Sequence, residues 1–308
     1  MKGWSTGGKL GLVALAAAGV VLLYGLLPQG EQPAAPLEEE ALPEEPAAPD
    51  SSAPPPDDGR VNLLVCGVDE TRYLTDVIML ASLEEESGRV SVLQIPRDTY
   101  VGSQVPTGKL NAVYGQKDGG IQALEKLVQE LLGLPVDYYV TVTLEGVRSI
   151  VDDLGGIPMT LEEPIHYLPG KYLAAGEQVL TGQQAEWLVR YREGYATGDI
   201  GRLEVQQAFL KAAVQAVYAK GRAEAIAALV RNYSQVETDM PLLTMISLGG
   251  KVFDRGAEGI SFYRVPGEGK MIGGYAVYLP DQEALRELLD LYFDAVPPRE
   301  DQEKGAVS

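Results

Sequence analysis

The chain has 308 residues, of which 45% are hydrophobic, so it is long enough and apolar enough to bury a sizeable core. Its 25 basic and 44 acidic side chains give a net charge of -19, which leaves no broad basic face and argues against a nucleic-acid partner. A single cysteine, Cys66, can form neither an internal disulfide nor a cysteine metal cage, and the apolar run VNLLVCGV around it predicts a buried structural thiol.

The N-terminal segment has the pattern of a membrane anchor. Residues 10–27 read LGLVALAAAGVVLLYGLL, an uncharged apolar run long enough to cross the hydrocarbon layer as a helix. Lys2 and Lys9 precede it and no Lys or Arg follows until Arg60, so residues 1–9 are predicted to be cytoplasmic. A cleaved secretory signal is the alternative, but no polar Ala-x-Ala site follows the run. The pattern favours an uncleaved single-pass anchor in the cell membrane, with the C-terminal domain extracellular.

Two composition changes divide the rest of the chain. Residues 28–59 are rich in Pro, Glu and Ala and contain no Lys or Arg, which predicts an extended extracellular stalk. From residue 60 to residue 295, short apolar runs alternate with helical periods, which predicts a single α/β domain. Residues 296–308 are predicted to be a flexible tail.

The predicted elements of this domain follow in chain order. Strands are predicted at residues 61–68, 77–82, 89–95, 137–143, 157–161 and 260–266. Helices are predicted at residues 121–132, 145–154, 182–191, 200–220, 223–232, 242–252 and 282–293. Thr181 and Asp199 are the expected N-caps of the third and fourth of these helices. The segment PIHYLPG is predicted to be a loop. We expect a central mixed, largely antiparallel sheet flanked by helices.

The alternation of strand direction predicts a polar cluster at one edge of the sheet. If the first three strands form an antiparallel meander, Asp69, Asp76 and Arg97 lie at the same end. Two carboxylates suit a hard cation such as Mg²⁺, which leaves coordination positions for water and phosphate. Two aspartates in a loop often serve only to solvate it, but an arginine beside both of them favours a metal and anion site.

The stretch LVRYREGYATGDIGRLEVQQ, residues 188–207, concentrates arginines between two predicted helices. Arg190 and Arg192 end the first helix, and Arg202 lies in the first turn of the second, where free backbone N–H groups favour an anion. Gln206 follows Arg202 by one helical turn and shares its face. Guanidinium groups match phosphate oxygens well, which predicts a phosphate site. A solvated salt-bridge cluster with neighbouring acidic residues is an equally supported alternative.

An ordered set of motifs between residues 61 and 293 carries a family resemblance. The motifs are GVDETRYLTDVIML, SVLQIPRDTYV, KLNAVYG with a following GG, DYYVTVTLEGVRSIVDDLGGIPM and LTGQQAEWLVRYR…GDIGRLEVQQ. In order and spacing they resemble the LytR-CpsA-Psr family of cell-envelope proteins. The resemblance implies a membrane-anchored extracytoplasmic α/β protein with an apolar pocket for a polyprenyl chain. It further implies transfer of a glycopolymer from a polyprenyl-pyrophosphate carrier to peptidoglycan, with Mg²⁺ as cofactor.

The same resemblance implies roles for individual residues. Asp69 and Asp76 would hold the metal ion. The arginines that would clamp the pyrophosphate are Arg97, Arg190, Arg192 and Arg202, and the motif positions near them are Lys109, Asn111 and Gln206. The acceptor would be a sugar hydroxyl whose proton passes to Asp69 or, as a second choice, to Asp199.

Three positions depart from the family pattern. Val205 stands where the family usually has a second arginine, and Gln94 where a serine often precedes IPRD. The loop between Asp69 and Asp76 is short and reads LTD where RSD is common, so only Arg72 could replace the missing phosphate contact. The short loop and Val205 favour an alternative function, a non-catalytic extracellular module that binds a lipid-linked glycan or regulates its use. A hydrolase of the polyprenyl-pyrophosphate glycan, with water as acceptor, is a further alternative.

Overall fold

The computed structural model describes the ranges 59–69, 73–102, 105–191 and 199–293. Side chains are described throughout these ranges except at residues 189–190 and 199–207. The predicted cytoplasmic segment, anchor and tail, and all but the last residue of the stalk, lie outside the described residues. No helix within the described ranges combines the length and apolar character needed to cross a bilayer.

The described ranges form strands, longer helices and short 3-10 helices. The strands are β1 (Arg60–Val68), β2 (Thr75–Glu84), β3 (Val90–Gln94), β4 (Tyr138–Thr143), β5 (Ile157–Leu161), β6 (Ile165–Leu168), β7 (Lys171–Leu173), β8 (Gly176–Leu180), β9 (Val236–Thr238), β10 (Ile260–Arg264), β11 (Gly267–Ile272) and β12 (Tyr275–Pro280). The α-helices are α1 (Ile121–Leu132), α2 (Leu144–Asp153), α3 (Gly182–Arg190), α4 (Asp199–Ala219), α5 (Gly221–Asn232), α6 (Leu242–Arg255) and α7 (Gln282–Tyr292). The 3-10 helices are Leu110–Ala112, Tyr233–Gln235 and Ala257–Gly259.

The central sheet has the strand order β10-β3-β2-β1-β4-β9. Strands β1, β2 and β3 form the predicted antiparallel meander. Strand β4 runs parallel to β1, β10 runs parallel to β3, and β9 runs antiparallel to β4, so the sheet is mixed. Strands β1, β3, β4 and β10 therefore end, and β2 begins, at one edge, which we call the carboxyl edge. The opposite edge is called the amino edge.

The sheet separates two hydrophobic cores, because side chains alternate between the two faces of a strand. On one face Val65 and Val77 belong to a core that includes residues of α2, α3, α4, α5 and α6. On the other face Cys66 and Ile78 pack with residues of α1 and α7. Cys66 is fully buried, which confirms the predicted structural thiol, and this burial raises its pKa.

The strands that the sequence analysis missed are short or lie outside the central sheet. The segment PIHYLPG, predicted as a loop, contributes to the hairpin β6–β7, and β8 pairs with β5. Strands β6, β7 and β9 have four, three and three residues, too few to display a period. The hairpin β11–β12 had a readable signal, since Gly273 and Gly274 both have positive φ and form its two-residue turn.

The helix starts divide into one confirmed cap and one correction. Thr181 is the N-cap of α3: its side chain accepts the N–H of Gln184, whose side chain accepts the N–H of Thr181. This reciprocal pair is a capping box. Asp199 was expected to precede its helix as the N-cap, but it lies within the described part of α4.

Candidate active site at the carboxyl edge

The carboxyl edge brings together Asp69, Asp76 and Arg97, as the alternation of strand direction predicts. Asp69 directly follows β1, Asp76 is the second residue of β2, and Arg97 comes shortly after β3. The strand register steps from Gly67↔Val77 to Val68↔Thr75, which makes Asp76 the extra residue of a β-bulge. A bulge bends the strand and changes the direction of a side chain. Here the extra residue is Asp76, whose carboxylate accepts a hydrogen bond from Arg97.

Arg97 and Asp76 form a close and shielded ion pair. Nη1 of Arg97 donates to Oδ1 of Asp76 at 2.5 Å, and each side chain is only 12% exposed. Limited contact with water strengthens a charge-assisted hydrogen bond and raises the cost of removing one partner. Nε of Arg97 is buried and has no hydrogen-bond acceptor in the described part of the chain. The guanidinium therefore keeps one buried donor that Asp76 does not satisfy, which is uncommon in a folded protein.

The carboxylate of Asp69 is oriented by the main chain that leads into β2. Its Oδ1 accepts the N–H of Tyr73 at 2.9 Å and the N–H of Leu74 at 3.0 Å. The N–H of Asp69 donates in turn to the carbonyl oxygen of Leu74 at 3.0 Å. These hydrogen bonds hold the carboxylate in one orientation beside the start of β2.

The main chain at Asn111 links Arg97 to the start of β2. The N–H of Asn111 donates to the carbonyl oxygen of Arg97 at 3.0 Å. The carbonyl oxygen of Asn111 accepts the Oγ1 hydroxyl of Thr75 at 3.4 Å, next to Asp76. Asn111, which the family resemblance places near the site, is therefore a buried residue that connects two of its parts.

Lys109, the other residue of this motif, lies close to the same cluster. Its Nζ is 3.1 Å from Oδ1 of Asp98, the residue after Arg97. This pairing could not be predicted from the sequence, because Asp98 and Lys109 come together only when the intervening loop folds back. The structure thus places a second cation against the residue that follows Arg97.

The hairpin β11–β12 also reaches the carboxyl edge, which the sequence analysis did not anticipate. The N–H of Tyr278 donates to the carbonyl oxygen of Asp98, and the N–H of Tyr100 donates to the carbonyl oxygen of Tyr278, both at 2.8 Å. The Tyr278 hydroxyl donates to the carbonyl oxygen of Val265 at 2.9 Å. These bonds fix the chain immediately after Arg97 to the C-terminal part of the domain.

The helical arginines are described only in part. Helix α3 ends at Arg190, and the described part of α4 starts at Asp199. Arg202 and Gln206 lie one helical turn apart in α4. Outside the described residues lie the side chains of Arg190, Asp199, Arg202 and Gln206 and the whole of Arg192 and Arg72.

The donor set at the carboxyl edge fits Mg²⁺. This ion usually binds through one or two carboxylates and takes water and substrate phosphates as its remaining ligands. Asp69 and Asp76 supply two carboxylates, each already oriented through one of its oxygens. Among the described residues, no group of three or more His, Cys, Asp or Glu side chains could hold a metal ion. Asp69 and Asp76 are therefore the described residues that would hold the ion.

The fold and the site define an α/β domain with a carboxylate–arginine cluster at the end of a mixed sheet. The model of the LytR_cpsA_psr family matches residues 29–292 of this chain. The chain belongs to the LytR_cpsA_psr family, as the motifs predicted.

Individual relatives agree with this assignment. The chain is 29% identical over 234 residues to the polyisoprenyl-teichoic acid–peptidoglycan teichoic acid transferase TagU of Bacillus cereus (strain AH820). The aligned region covers 72% of this chain and 74% of that protein. It is 30% identical over 179 residues to the cell wall biosynthesis protein LcpA of Corynebacterium glutamicum, over 50% of this chain and 35% of that protein. The crystal structure of Lin1025 from Listeria innocua superposes with a TM-score of 0.61 at 26% identity, over 77% of this chain and 99% of that chain.

Proposed function

We propose that this protein is a glycopolymer phosphotransferase that moves a wall polymer from a polyprenyl-pyrophosphate carrier to peptidoglycan, with Mg²⁺ as cofactor. The observation that carries the proposal is the shielded Arg97–Asp76 pair beside the oriented carboxylate of Asp69. The relatives TagU and LcpA, named as a teichoic acid transferase and a cell wall biosynthesis protein, support the same class of substrate.

Phosphoryl transfer depends mainly on positioning and on neutralising negative charge. Mg²⁺ held by Asp69 and Asp76 would supply positive charge to the pyrophosphate oxygens. Arg97, held in place by Asp76, would place a fixed positive charge beside the phosphate oxygens. Arg190, Arg192 and Arg202 would complete the clamp, as the family resemblance implies.

The proposed reaction exchanges one phosphorus–oxygen bond for another. A hydroxyl oxygen of the peptidoglycan acceptor bonds to the phosphorus that carries the glycan. The bond from that phosphorus to the bridging oxygen breaks, and polyprenyl monophosphate leaves with the electron pair. The hydroxyl proton passes to the carboxylate of Asp69, which the main chain already orients, with Asp199 as the second candidate acceptor.

The proposed location follows from the same substrate. A lipid-linked donor lies in the membrane, and peptidoglycan lies outside it, so an enzyme joining them must work at the outer surface. The predicted anchor at residues 10–27 and the extracellular stalk at residues 28–59 would hold the domain there. The partners are then the lipid-linked glycan, peptidoglycan and the bilayer itself.

One assay separates the proposed transfer from its alternatives. The full chain, purified in detergent, is incubated with a polyprenyl-pyrophosphate oligosaccharide, Mg²⁺ and a peptidoglycan fragment, and products are followed by mass spectrometry. Glycan joined to the fragment supports the transferase. Free phosphorylated glycan identifies a hydrolase, and bound but unchanged lipid identifies a binding module. A parallel reaction with EDTA tests the metal, since the proposal requires product formation to stop.

A further inference from the structure

Gly115 lies against the main chain that orients Asp69. A Cβ atom added to Gly115 would fall 2.4 Å from the carbonyl oxygen of Tyr73 and 2.7 Å from its Cα. It would also lie 2.8 Å from Cδ1 of the Tyr73 ring. Two of these atoms belong to the backbone and cannot move aside by a change of rotamer. The position therefore has no room for any side chain unless the backbone at Tyr73 shifts.

This contact is one step from the candidate site. The N–H of Tyr73 donates to Oδ1 of Asp69, and the N–H of Leu74 donates to the same oxygen. The carbonyl oxygen and Cα of Tyr73 pack on Gly115, so the peptide units that hold Asp69 rest on the glycine. A displacement at Tyr73 would change the direction of the carboxylate.

The glycine belongs to a segment that already supports Arg97. Four residues earlier, Asn111 bonds through its main chain to Arg97 and to the side chain of Thr75. The same short segment therefore contacts the main chain of Arg97 and, through Gly115, the main chain that binds the first carboxylate.

We infer that Gly115 is a positioning residue that fixes the carboxylate of Asp69 by letting the backbone of Tyr73 approach within contact distance. The catalytic meaning of this role rests on the proposed function, whereas the structural contact does not.

The test compares two glycine substitutions in the full chain in detergent. Gly115→Ala introduces the overlap with Tyr73. Gly269→Ala is the matched control, because a Cβ at Gly269 meets nothing within 4 Å and no unfavourable φ is present there. Amide hydrogen exchange at Tyr73 and Leu74 reports their bonds to Asp69, and the Mg²⁺ concentration for half-maximal transfer reports the site.

We expect Gly115→Ala to speed exchange of the Tyr73 and Leu74 amides about tenfold and to raise the half-maximal Mg²⁺ concentration by a similar factor, because a small misplacement weakens a preorganised site. Turnover at saturating Mg²⁺ should fall less, and Gly269→Ala should match the wild type in every measurement. Exchange and Mg²⁺ dependence both unchanged in Gly115→Ala would overturn the inference. If the wild type transfers no glycan at all, the proposed function fails, while the exchange measurement still decides whether Gly115 positions Asp69.

A milder variant covers the case in which Gly115→Ala does not fold. Tyr73→Ala removes the ring that lies against Gly115 without introducing any overlap. We expect about threefold faster exchange at Leu74, since part of the contact is lost while its backbone component stays. Wild-type exchange at Leu74 in this variant would contradict the role given to the contact.

Discussion

The two edges of the central sheet carry ion pairs of the same length but of different character. At the carboxyl edge, Arg97 and Asp76 are 2.5 Å apart and each side chain is 12% exposed. At the amino edge, Lys251 and Glu85 are also 2.5 Å apart, but their side chains are 38% and 41% exposed. The two pairs therefore differ in burial and not in the distance between their charged atoms. A shielded pair resists screening and is costly to break, which is what a preorganised site for an anion requires.

The supports of the two pairs differ as well. Arg97 is tied through its carbonyl oxygen to Asn111, and Asp76 lies in a β-bulge at the start of β2. Lys251 extends from α6, and Glu85 follows the end of β2, where each can exchange its partner for water. The pair at the candidate active site therefore differs from the pair at the amino edge in how its charges are held.

Removing Arg97 should have the largest effect. We expect Arg97→Ala to lower turnover about a hundredfold or more, because it deletes a preorganised donor to the phosphate. It should also lower the free energy of unfolding by about 1–3 kcal/mol, because the poorly hydrated carboxylate of Asp76 loses its partner. The transfer assay and urea unfolding measure the two effects, and full activity in this variant would end the proposed role of the pair. Arg97→Lys, which keeps the charge but not the planar fork, should recover part of the activity.

Neutralising Asp76 should have the next largest effect. Asp76→Asn keeps the size of the side chain and an oxygen for Arg97, but it removes the negative charge that a metal ion requires. We expect the Mg²⁺ concentration for half-maximal transfer to rise about tenfold to a hundredfold. A Mg²⁺ titration of transfer measures this change, and an unaltered titration curve would show that Asp76 does not hold the ion.

Breaking the pair at the amino edge should have a small effect. We expect Lys251→Ala to change the free energy of unfolding by no more than about 1 kcal/mol, because solvent screens an exposed pair. Transfer activity should stay at the wild-type level. Urea unfolding of this variant beside Arg97→Ala tests the comparison directly, and equal losses of stability would show that burial does not distinguish the two pairs.

The smallest effect is expected at Glu125 in α1, and it depends on pH. Burial, followed by the charge of Asp239, raises the pKa of Glu125. The folded state therefore holds this proton more tightly than the unfolded chain, so the favourable contribution is present at low pH and is lost as pH rises through the raised pKa. Glu125→Gln should stabilise the protein at neutral pH by less than about 1 kcal/mol, since the group is partly exposed. The gain should disappear below about pH 4, near the ordinary pKa of Glu. Thermal unfolding at several pH values measures this dependence, and a gain that grows as the pH falls would contradict the prediction.

Much of the central sheet could be predicted because its signals are local. Strand β1 shows a continuous apolar run, and the meander that follows requires only that successive strands reverse direction. Once the directions are known, Asp69, Asp76 and Arg97 must share an edge. The family motifs added Lys109 and Asn111, which the structure places beside Asp98 and Arg97.

The features that could not be predicted depend on contacts between distant residues. No local pattern announces the bulge at Asp76, because it is defined by the register of two strands. The packing of Gly115 on Tyr73 joins residues far apart in the chain, and glycine is common in loops for its backbone freedom alone. The Gly-Gly turn of the hairpin β11–β12 could have been recognised in the sequence. The attachment of this hairpin to Asp98 could not, because it joins residues that are distant in the chain.

The sequence by itself determined the family, the succession of most strands and helices, and the types of charged residue available for a phosphate and metal site. These depend on periodicity, composition and ordered motifs, which are properties of neighbouring residues along the chain. Only the tertiary structure decided that Arg97 is shielded against Asp76 and that Gly115 makes room for the backbone that orients Asp69. Burial and close approach arise when segments that are distant in the chain meet in space. Burial is also the property that strengthens the ion pair between Arg97 and Asp76.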